Sequence, residues 1–592
     1  MPALPNPSQI NEADYNAKTR PARMHDMKSS HFSYAWHARA VTGMLLTSIL
    51  SASLLVAGCG TSSSSISSQE NRAVREYFAL IDGVKKDQPE LVEALTKFPK
   101  GADLHNHLSG SVRPEDFIAL GIAEGDCFGP DPKVPAMYTV TPAAAPGVCS
   151  GAAKPLAQAS VDEQQQLLRS FSLYQFNGRG VTSVQAGHDQ FFNTFGRFDT
   201  IDTARNTGQM LAKLLQQENA ESVSYLETMV SPQAAAINRL ADLLRQQYPD
   251  AATYLQKSHY PDMYAYLLSA GLNDIAAAAQ RDVTGFLSSA NALLNCGTRF
   301  SDPACEVPLN FQASVYRNAS LKDGSADLPN IFTQTAAYFL LSATEKMVVG
   351  VNLLSGEDAP VSMQSFATQM KVFSYFQSLF PGVNIALHAG EITPFFVGNG
   401  NPALKEHLTG SISAGAKRLG HAVSFTYLDD ADKDEVAALM KSSNTAIEIN
   451  FTSNAQILGV AGNEHPFSQY FREYGIPAVL ATDDQGVSYA NFTDEWIYAA
   501  RQYRITYTEA VRLARSSLQY SFLPGAPLWQ DVTSSTVVRQ CAGATPGSAS
   551  PGEPCSSYLA GSEKARAQWN YEAKLSSYDK AYGAVLRKYL GN

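Results

Sequence analysis

Short apolar runs of four to eight residues recur along this chain, and each ends in a turn or in polar residues. Between the runs, apolar residues recur at the spacing of an amphipathic helix, for example over 363–379, 434–441 and 508–518. Strands that alternate with helices predict βα units and a parallel sheet, and about eight strands favour a closed barrel. The predicted fold class is therefore α/β, a TIM (β/α)8 barrel. The predicted strands lie within 100–112 and at 225–230, 311–316, 347–354, 383–387, 418–421, 445–450 and 477–482.

The remaining residues predict additions to this barrel. A Pro-, Ala- and Gly-rich insertion lies near 125–156, and a mostly helical insertion near 233–305 is longer than an ordinary connection. Residues 525–592 are expected to form a C-terminal extension that ends in a helix. The domain prediction is thus a single barrel domain over 71–592. Further helices are predicted over 70–97, 114–122, 160–176 and 190–216.

The N-terminal segment is predicted to be a targeting signal. Residues 41–57 are apolar and lead, through small residues, to Cys59. This pattern resembles a bacterial lipoprotein signal, in which 1–58 is removed and Cys59 carries lipid; a membrane anchor or an ordinary secretory signal is the alternative. The residues before Met27 are polar and long for such a signal, so Met27 is a candidate start. The Ser-rich stretch 59–70 would be a tether, and the protein would be lipid-anchored in the bacterial cell envelope, facing the periplasm or the exterior.

Six of the seven cysteines fall into three close pairs in polar or Gly-, Pro- and Ser-rich stretches. In an exported protein this arrangement predicts three local disulfides. Zinc-binding cysteines are the alternative, although the sequence has no CxxC spacing. The pairs are Cys127/Cys149, Cys296/Cys305 and Cys541/Cys555.

Composition excludes one class of partner. The chain has 592 residues, 45% of them hydrophobic, and 45 Lys and Arg against 55 Asp and Glu give a net charge of −10. The apolar content is ample for a large core, and there is no basic run or stripe. A nucleic-acid polymer is therefore not an expected partner.

His105 and His107 are the first candidates for chemistry. Two residues apart on a strand, they share one face and can hold one metal ion together. Such a pair alone is more often two histidines that bind nothing. However, His388, His421 and Asp483 also end strand-like runs, and a barrel gathers the C-terminal ends of its strands around one site. Together the five residues predict a metal centre there.

Several motifs follow these strands in a characteristic order. They resemble the adenosine deaminase family of the amidohydrolase superfamily over most of 98–525, and HAGE with TDD is the most specific part. The motifs are HxH at 105–107, LSGE at 354–357, HAGE at 388–391, GHA at 420–422, a polar SN turn at 453–454 and TDD at 482–484.

The resemblance implies a metal-containing TIM barrel and a hydrolase. Its reaction would be the zinc-dependent deamination of adenosine or deoxyadenosine to inosine or deoxyinosine and ammonia, in purine nucleoside salvage. The expected partner is a small-molecule purine nucleoside, and the oligomeric state stays open. One alternative is a deaminase of another 6-substituted purine nucleoside or 5′-nucleotide. The other is a non-catalytic nucleoside-binding surface lipoprotein, against which the full set of ligands and catalytic groups argues.

The same resemblance assigns a metal-binding set. His105, His107, His388 and Asp483 supply three imidazole nitrogens and one carboxylate oxygen. Such a set suits Zn²⁺ with an open position for water, and one zinc ion per chain is expected. Zinc lowers the pKa of that water and supplies hydroxide near neutral pH.

Glu391, His421 and Asp483 are the predicted catalytic residues. By the resemblance, Glu391 protonates the purine ring nitrogen beside the attacked carbon, because an unprotonated purine is a poor electrophile. His421 orients and deprotonates the water, and Asp483 contacts both metal and hydroxide. The alternatives are a surface carboxylate for Glu391 and a buried core histidine for His421.

Three further residues are predicted to bind the substrate. The backbone N–H of Gly356 would hold the purine, although a plain turn is an alternative there, and Asp484 would contact the five-membered ring. The adenosine branch has Asp at the position of Ser109, where it contacts the ribose 5′ hydroxyl; a neutral Ser would repel a 5′ phosphate less. Gln485 replaces the usual Pro after TDD. The resemblance therefore leaves the 5′ group open.

Other polar residues are left outside the predicted site. Glu227, inside the second strand, is expected to be a structural carboxylate. The signatures HxE…PCxxC, Walker A and HExxH are absent from the sequence, which excludes the cytidine-type deaminases and two other motif classes. His188 and His465 lie in polar stretches without a partner, His407 is expected on a helix surface, and His259 is in the insertion.

Overall fold

Eight parallel strands form the centre of the structure, a computed structural model that describes residues 62–175 and 184–592. They follow one another around one sheet in chain order. The circle closes where Asp483 donates its backbone N–H to the carbonyl of His105 over 2.8 Å and forms a parallel bridge with Asn106. The predicted TIM barrel is confirmed. The strands are β1 (Ala102–His107), β2 (Tyr225–Val230), β3 (Leu309–Tyr316), β4 (Val348–Leu354), β5 (Asn384–Ala389), β6 (Arg418–His421), β7 (Ala446–Ile449) and β8 (Ala478–Leu480).

The apolar runs become strands because both faces of the sheet are buried, one by the barrel interior and one by the outer helices. Val351 and Leu353 in β4 are completely buried, as are Ile385 and Leu387 in β5. In β1 the two faces differ, because Leu104 belongs to the main hydrophobic cluster while His105 and His107 alternate with it. The β1 histidines therefore face the barrel interior together.

Helices surround the barrel between these strands. The α-helices are Ser62–Asp87, Pro89–Lys97, Leu108–Ser111, Pro114–Glu124, Val161–Ser170, Val184–Phe198, Thr207–Ala220, Ala234–Gln247, Tyr260–Ser269, Leu272–Leu293, Leu328–Thr344, Pro360–Leu379, Pro394–Val397, Ala403–Ser413, Asp430–Ser443, Phe451–Leu458, Phe492–Gln502, Tyr507–Tyr520, Cys555–Ala560, Glu563–Ala581 and Gly583–Leu590.

The N-terminal helical region differs from its prediction in two ways. The predicted helix 70–97 is two helices, because Pro89 lacks a backbone N–H and begins the second one. The first begins at Ser62, so most of the predicted tether is helical here; extending a helix adds one backbone hydrogen bond per residue. Residues 1–61, with the predicted signal segment and the lipid site Cys59, lie outside the described residues.

Two further helices end earlier than predicted. The helix predicted over 160–176 ends at Ser170. The helix predicted over 190–216 is interrupted between Phe198 and Thr207, and within the break Asn206 donates its side-chain amide to the carbonyl of Ile201 over 2.8 Å. Asn, Asp and Thr side chains compete with the helical backbone in this way, and the predicted periodicity did not include that competition.

The insertions and disulfides match the sequence prediction apart from one small sheet. The insertion near 125–156 contains three antiparallel strands that are too short for an alternating pattern to show: Cys127–Pro130, Tyr138–Thr141 and Lys154–Pro155. The insertion near 233–305 is helical, as predicted. All three predicted disulfides are present: Cys127–Cys149, Cys296–Cys305 and Cys541–Cys555.

The C-terminal extension has its own small core and packs on the last helix of the barrel. Trp529 and Trp569 are buried in one hydrophobic cluster together with the Cys541–Cys555 disulfide. Arg515 and Glu572 join helix Tyr507–Tyr520 to helix Glu563–Ala581 through two hydrogen bonds of 2.7 and 2.8 Å. Within 62–175 and 184–592, no helix is both long enough and apolar enough to cross a membrane.

Candidate active site

The C-terminal ends of the strands bring the five predicted polar residues together. His105 and His107 lie on β1, His388 on β5, His421 at the end of β6, and Asp483 follows β8. His107 Nε2 is 3.2 Å from His388 Nε2 and 3.3 Å from Asp483 Oδ1. His105 Nε2 lies 3.7 Å from the same carboxylate oxygen. The predicted cluster thus exists at the end of the barrel where the sequence placed it.

These separations suit one bound cation. Two ligand atoms about 2.1 Å from a tetrahedral ion lie about 3.4 Å apart, close to the observed 3.2, 3.3 and 3.7 Å. His105 Nε2 is buried and finds no hydrogen-bond partner among the described residues. A buried polar atom without a hydrogen-bond partner costs the folded state about 1–3 kcal/mol unless something coordinates it. Three imidazoles and one carboxylate therefore form a coordination set for a divalent metal.

Hydrogen bonds at the Nδ1 atoms fix how the imidazoles face the site. His105 Nδ1 lies 2.7 Å from the Glu448 carboxylate, and His388 Nδ1 lies 3.0 Å from Asn352 Oδ1. Each acceptor oxygen requires a proton on Nδ1, so the lone pair is on Nε2 in the assigned tautomer. Such partners orient the rings of metal ligands and raise their basicity.

Buried ion pairs hold Glu448, the carboxylate that lies beside His105. Arg418 lies between two carboxylates, with Nη2 donating to Glu227 over 2.6 Å and Nε donating to Glu448 over 2.5 Å. All three residues are fully buried. Removing one member would leave an unpaired buried charge, which is strongly destabilising. Glu227 therefore has the structural role that the sequence indicated.

The electrostatics of the site leave its imidazoles ready to coordinate. Burial lowers the pKa values of His105, His388 and His421, and the neighbouring imidazoles lower the pKa of His388 well below its usual range. These rings are neutral near pH 7. Burial would raise the pKa of Asp483, but its hydrogen bond to His107 and the charges of nearby imidazoles hold it well below the usual range. Neutral imidazole and ionised carboxylate are the metal-binding forms.

The pKa of His107 differs from those of the other imidazoles because carboxyl groups surround it. Burial disfavours its imidazolium, but Asp484, Asp483 and Glu391 raise its pKa to about 9. The same crowding acts on the carboxyl groups, since burial, followed by the charge of Asp483, raises the pKa of Glu391 well above its usual value. Acidic groups concentrated at a buried site favour a cation among them.

Glu391 and His421 face each other across this cluster. His421 Nε2 lies 3.6 Å from Glu391 Oε1 and 3.7 Å from Asp483 Oδ2. His421 Nε2 is buried without a hydrogen-bond partner among the described residues. Its backbone has φ = 66° and that of Asp483 has φ = 58°, a region that costs a non-glycine residue about 1–3 kcal/mol. Strain of this kind is typical of residues that a fold holds in place for function.

The predicted substrate residues each follow the C-terminal end of a barrel strand. Asp484 is buried, and its Oδ1 has no partner among the described residues. Gly110 allows this, because a Cβ there would lie 1.5 Å from Asp484 Oδ1. Ser109 is in the short helix after β1, and Gly356 follows β4. The roles of Asp484, Ser109 and Gly356 toward a substrate stay predictions.

Sequence reasoning missed several partners of the site. His407 is buried, not on a surface, because its ring stacks on Phe366 with centroids 3.8 Å apart and it hydrogen-bonds Glu357 over 2.7 Å. His465 is also buried and lies 2.9 Å from Asn454, which in turn holds His421. His188 lies 3.4 Å from the Asp358 carboxylate. Asn454 lies in the SN turn and Glu357 in the LSGE motif. The motifs therefore marked both residues, although their contacts with histidines were not predicted.

Comparison with known proteins agrees with this site. A family model described as adenosine deaminase matches residues 328–528. An adenosine deaminase of Enterococcus faecalis is 30% identical over 142 residues, which are 24% of this chain and 37% of that protein. An N6-methyl-AMP deaminase of Danio rerio is 26% identical over 199 residues, 33% of this chain and 52% of that protein. The chain thus spans about a third to a half of the length of such curated relatives.

Solved structures are similar to this chain at lower sequence identity. An amidohydrolase of Burkholderia ambifaria, crystallised with bound zinc, gives a TM-score of 0.45 at 13% identity over 84% of this chain and 96% of the other. The family model covers the HAGE, GHA and TDD motifs, and the structure brings those motifs together with the β1 histidines in one coordination set. Over residues 328–528, about a third of its length, the chain is similar to the adenosine deaminase family.

Proposed function

We propose that this protein is a zinc-dependent deaminase that converts adenosine or deoxyadenosine and water into inosine or deoxyinosine and ammonia. The observation that carries the proposal is the placement of one carboxyl group and one imidazole at the edge of the coordination set. His421 Nε2 lies 3.6 Å from Glu391 and 3.7 Å from Asp483, a metal ligand. An acid and a base beside a metal are the groups that hydrolytic removal of an aromatic amino group requires.

The metal set favours zinc, and one ion per chain. His105, His107, His388 and Asp483 supply nitrogen and carboxylate ligands of the kinds that zinc takes, and water would be a fifth ligand, a coordination number that catalytic zinc can reach. When bound there, zinc would lower the pKa of a water molecule to near neutrality.

The protein's own residues would then move the protons. His421 accepts a proton at Nε2, because its Nδ1 is held 2.8 Å from Asn454 Oδ1 and Nε2 carries the free lone pair. Glu391, whose pKa burial raises well above its usual value, is protonated and donates to the ring nitrogen beside C6. Water adds across the bond between that nitrogen and C6. His421 then returns its proton to the amino nitrogen as the bond from C6 to that nitrogen breaks, and the C6 hydroxyl gives its proton back to Glu391. Ammonia leaves and a 6-oxo purine remains.

A second candidate is a deaminase of a 5′-monophosphate or of an N6-modified adenylate. The observation that favours it is Ser109, which is neutral where the adenosine branch has an Asp. One of the relatives reported above is named an N6-methyl-AMP deaminase. A carboxylate beside a phosphate would cost electrostatic energy, whereas a serine hydroxyl can donate a hydrogen bond to it.

One assay separates these candidates from each other and from a non-catalytic binder. Purified protein would be offered adenosine, deoxyadenosine, AMP and N6-methyl-AMP, with ammonia release as the readout. The first proposal expects kcat/KM for a nucleoside to exceed that for its 5′-monophosphate by about tenfold or more, because a phosphate buried without a partner would cost about 1–3 kcal/mol or more. The reverse order would support the second candidate. Tight purine binding without ammonia release would support a non-catalytic lipoprotein.

We also propose that the mature protein is lipid-anchored at Cys59 in a bacterial cell envelope. The apolar run before that cysteine supports this location. Three disulfides within the described residues add support, because such bonds are rare in reducing compartments.

A further inference from the structure

A buried charged group lies behind the turn that carries Glu391, and the proposed reaction does not use it. Glu357 Oε2 accepts the backbone N–H of Glu391 over 2.5 Å. Glu357 Oε1 lies 2.7 Å from His407 Nδ1 and 3.6 Å from Arg317 Nη1. Glu357 and Arg317 are fully buried, and His407 is 2% exposed. Burying three ionisable groups costs free energy unless each is paired with the others. The arrangement that keeps all of these contacts is therefore strongly preferred.

This group holds both ends of the HAGE turn. Arg317 Nη2 donates to the backbone carbonyl of His388 over 3.1 Å, while Glu357 accepts the backbone N–H of Glu391. The two held atoms belong to the metal ligand that begins the turn and the acid that ends it. The spacing between ligand and acid is therefore fixed from outside the turn.

The turn has no room to take another path. Gly390 has φ = 72°, and a Cβ at this position would lie 2.6 Å from both Leu408 Cδ2 and Ser424 Oγ. Leu408 is in the same helix as His407, whose ring stacks on Phe366 at an interplanar angle of 15°. The helix thus packs against the turn and supplies one member of the charged group.

The carboxyl group of Glu391 depends on this support. It forms no hydrogen bond within 3.5 Å to a side chain in the described part of the chain, and its nearest ion-pair contact is His421 at 3.6 Å. Since no side chain holds the acid, its place is set by its backbone. A displacement of about 1 Å in a reacting group can reduce a rate by about 100-fold.

We propose that Glu357, supported by His407 and Arg317, is a positioning residue for proton transfer by Glu391. The inference rests on the proposed deamination. None of the three residues belongs to the metal set, and neither Glu357 nor His407 hydrogen-bonds one of its members in the described part of the chain. The loss of Glu357 should slow the chemical step while substrate binding and zinc content persist.

The test compares steady-state kinetics and zinc content in wild type and four variants. Glu357→Ala should reduce kcat by about 100-fold, with KM within about threefold and zinc unchanged. Glu357→Gln keeps an oxygen that can accept the Glu391 N–H and should recover kcat to within about tenfold of wild type. His407→Ala leaves Glu357 in place and should reduce kcat by about tenfold, which also tests the idea if Glu357→Ala does not fold.

Glu572→Ala is the matched control. It removes another carboxylate that binds an arginine, Arg515, through two hydrogen bonds of 2.7 and 2.8 Å, but in the C-terminal extension. It should lower thermal stability and leave kcat unchanged. If Glu357→Ala and His407→Ala also lost stability alone and kept wild-type kcat, the group would be structural and the inference wrong. An inactive wild-type protein would instead refute the proposed function, and the inference with it.

Discussion

Asn454 hydrogen-bonds Nδ1 of His421. Its Oδ1 lies 2.8 Å from His421 Nδ1, and its Nδ2 lies 2.9 Å from Nε2 of the buried His465. In the assigned orientation of the amide, Oδ1 accepts from the Nδ1–H of His421 and leaves the lone pair on Nε2. Asn454 comes from helix Phe451–Leu458 after β7, whereas His421 ends β6. Two neighbouring loops of the barrel thus cooperate to present one nitrogen to the metal site.

The Asn454→Ala variant should lose this control. His421 would be free to rotate or to protonate the wrong nitrogen, and we expect kcat to fall by about 10- to 100-fold with zinc content unchanged. Asn454→Asp keeps an acceptor for Nδ1 and should retain more activity than the alanine variant. Steady-state kinetics beside elemental analysis measure both effects. Near-wild-type kcat in Asn454→Ala would show that the base does not need this partner.

The His388→Ala variant tests the metal set itself. Removing one of three imidazole ligands should lower zinc content and activity together, because the remaining ligands bind zinc weakly. His259→Ala is a suitable control, since His259 lies in a short surface turn away from the cluster and should change neither quantity. Zinc content can be read by elemental analysis after dialysis. Stoichiometric zinc in His388→Ala would remove His388 from the ligand set.

The strands and the metal residues could be predicted from sequence for one physical reason. Parallel barrel strands are buried on both faces, so they are continuous apolar runs, and a histidine or aspartate at the end of such a run is conspicuous. His388 and Asp483 are examples, since each follows buried aliphatic residues. A barrel then places strand ends together without any further information.

The Glu391→Gln variant separates the acid from the metal. Glutamine keeps size and polarity but has no acidic proton, so turnover should fall by roughly 100-fold or more while zinc and purine binding persist. The comparison with His388→Ala is informative, because there zinc and activity fall together. Zinc stoichiometry and the rate constant are measured on the same preparation. If Glu391→Gln lost its zinc, or kept near-full activity with zinc bound, Glu391 would not be the general acid.

The supporting residues could not be predicted in the same way. Glu357 and His407 are 50 residues apart, and only the packing of helix Ala403–Ser413 against the turn after β5 brings them into contact. From periodicity alone His407 is on a polar helix face, yet that face is buried by Phe366. The small sheet in the insertion near 125–156 was not predicted for another reason. Its strands have two to four residues, which is too few to show an alternation of apolar and polar positions.

The Cys59→Ala variant tests the proposed location. Without the thiol there is no site for lipid attachment, so the variant should leave the membrane fraction for the soluble one. Cell fractionation with an alkaline wash measures this, and ammonia release in each fraction shows where the activity goes. A variant that stays with the membrane after the wash would identify the apolar segment as an anchor that remains in place.

Zinc titration of metal-free protein tests the central claim most directly. The protein would be stripped with a strong chelator, and ammonia release from adenosine would be followed as zinc is added back in known amounts. The account predicts no activity at the start and a linear rise that ends at about one zinc per chain, because the four ligands His105, His107, His388 and Asp483 form one site. Full activity in the stripped protein, with no metal detected, would contradict it.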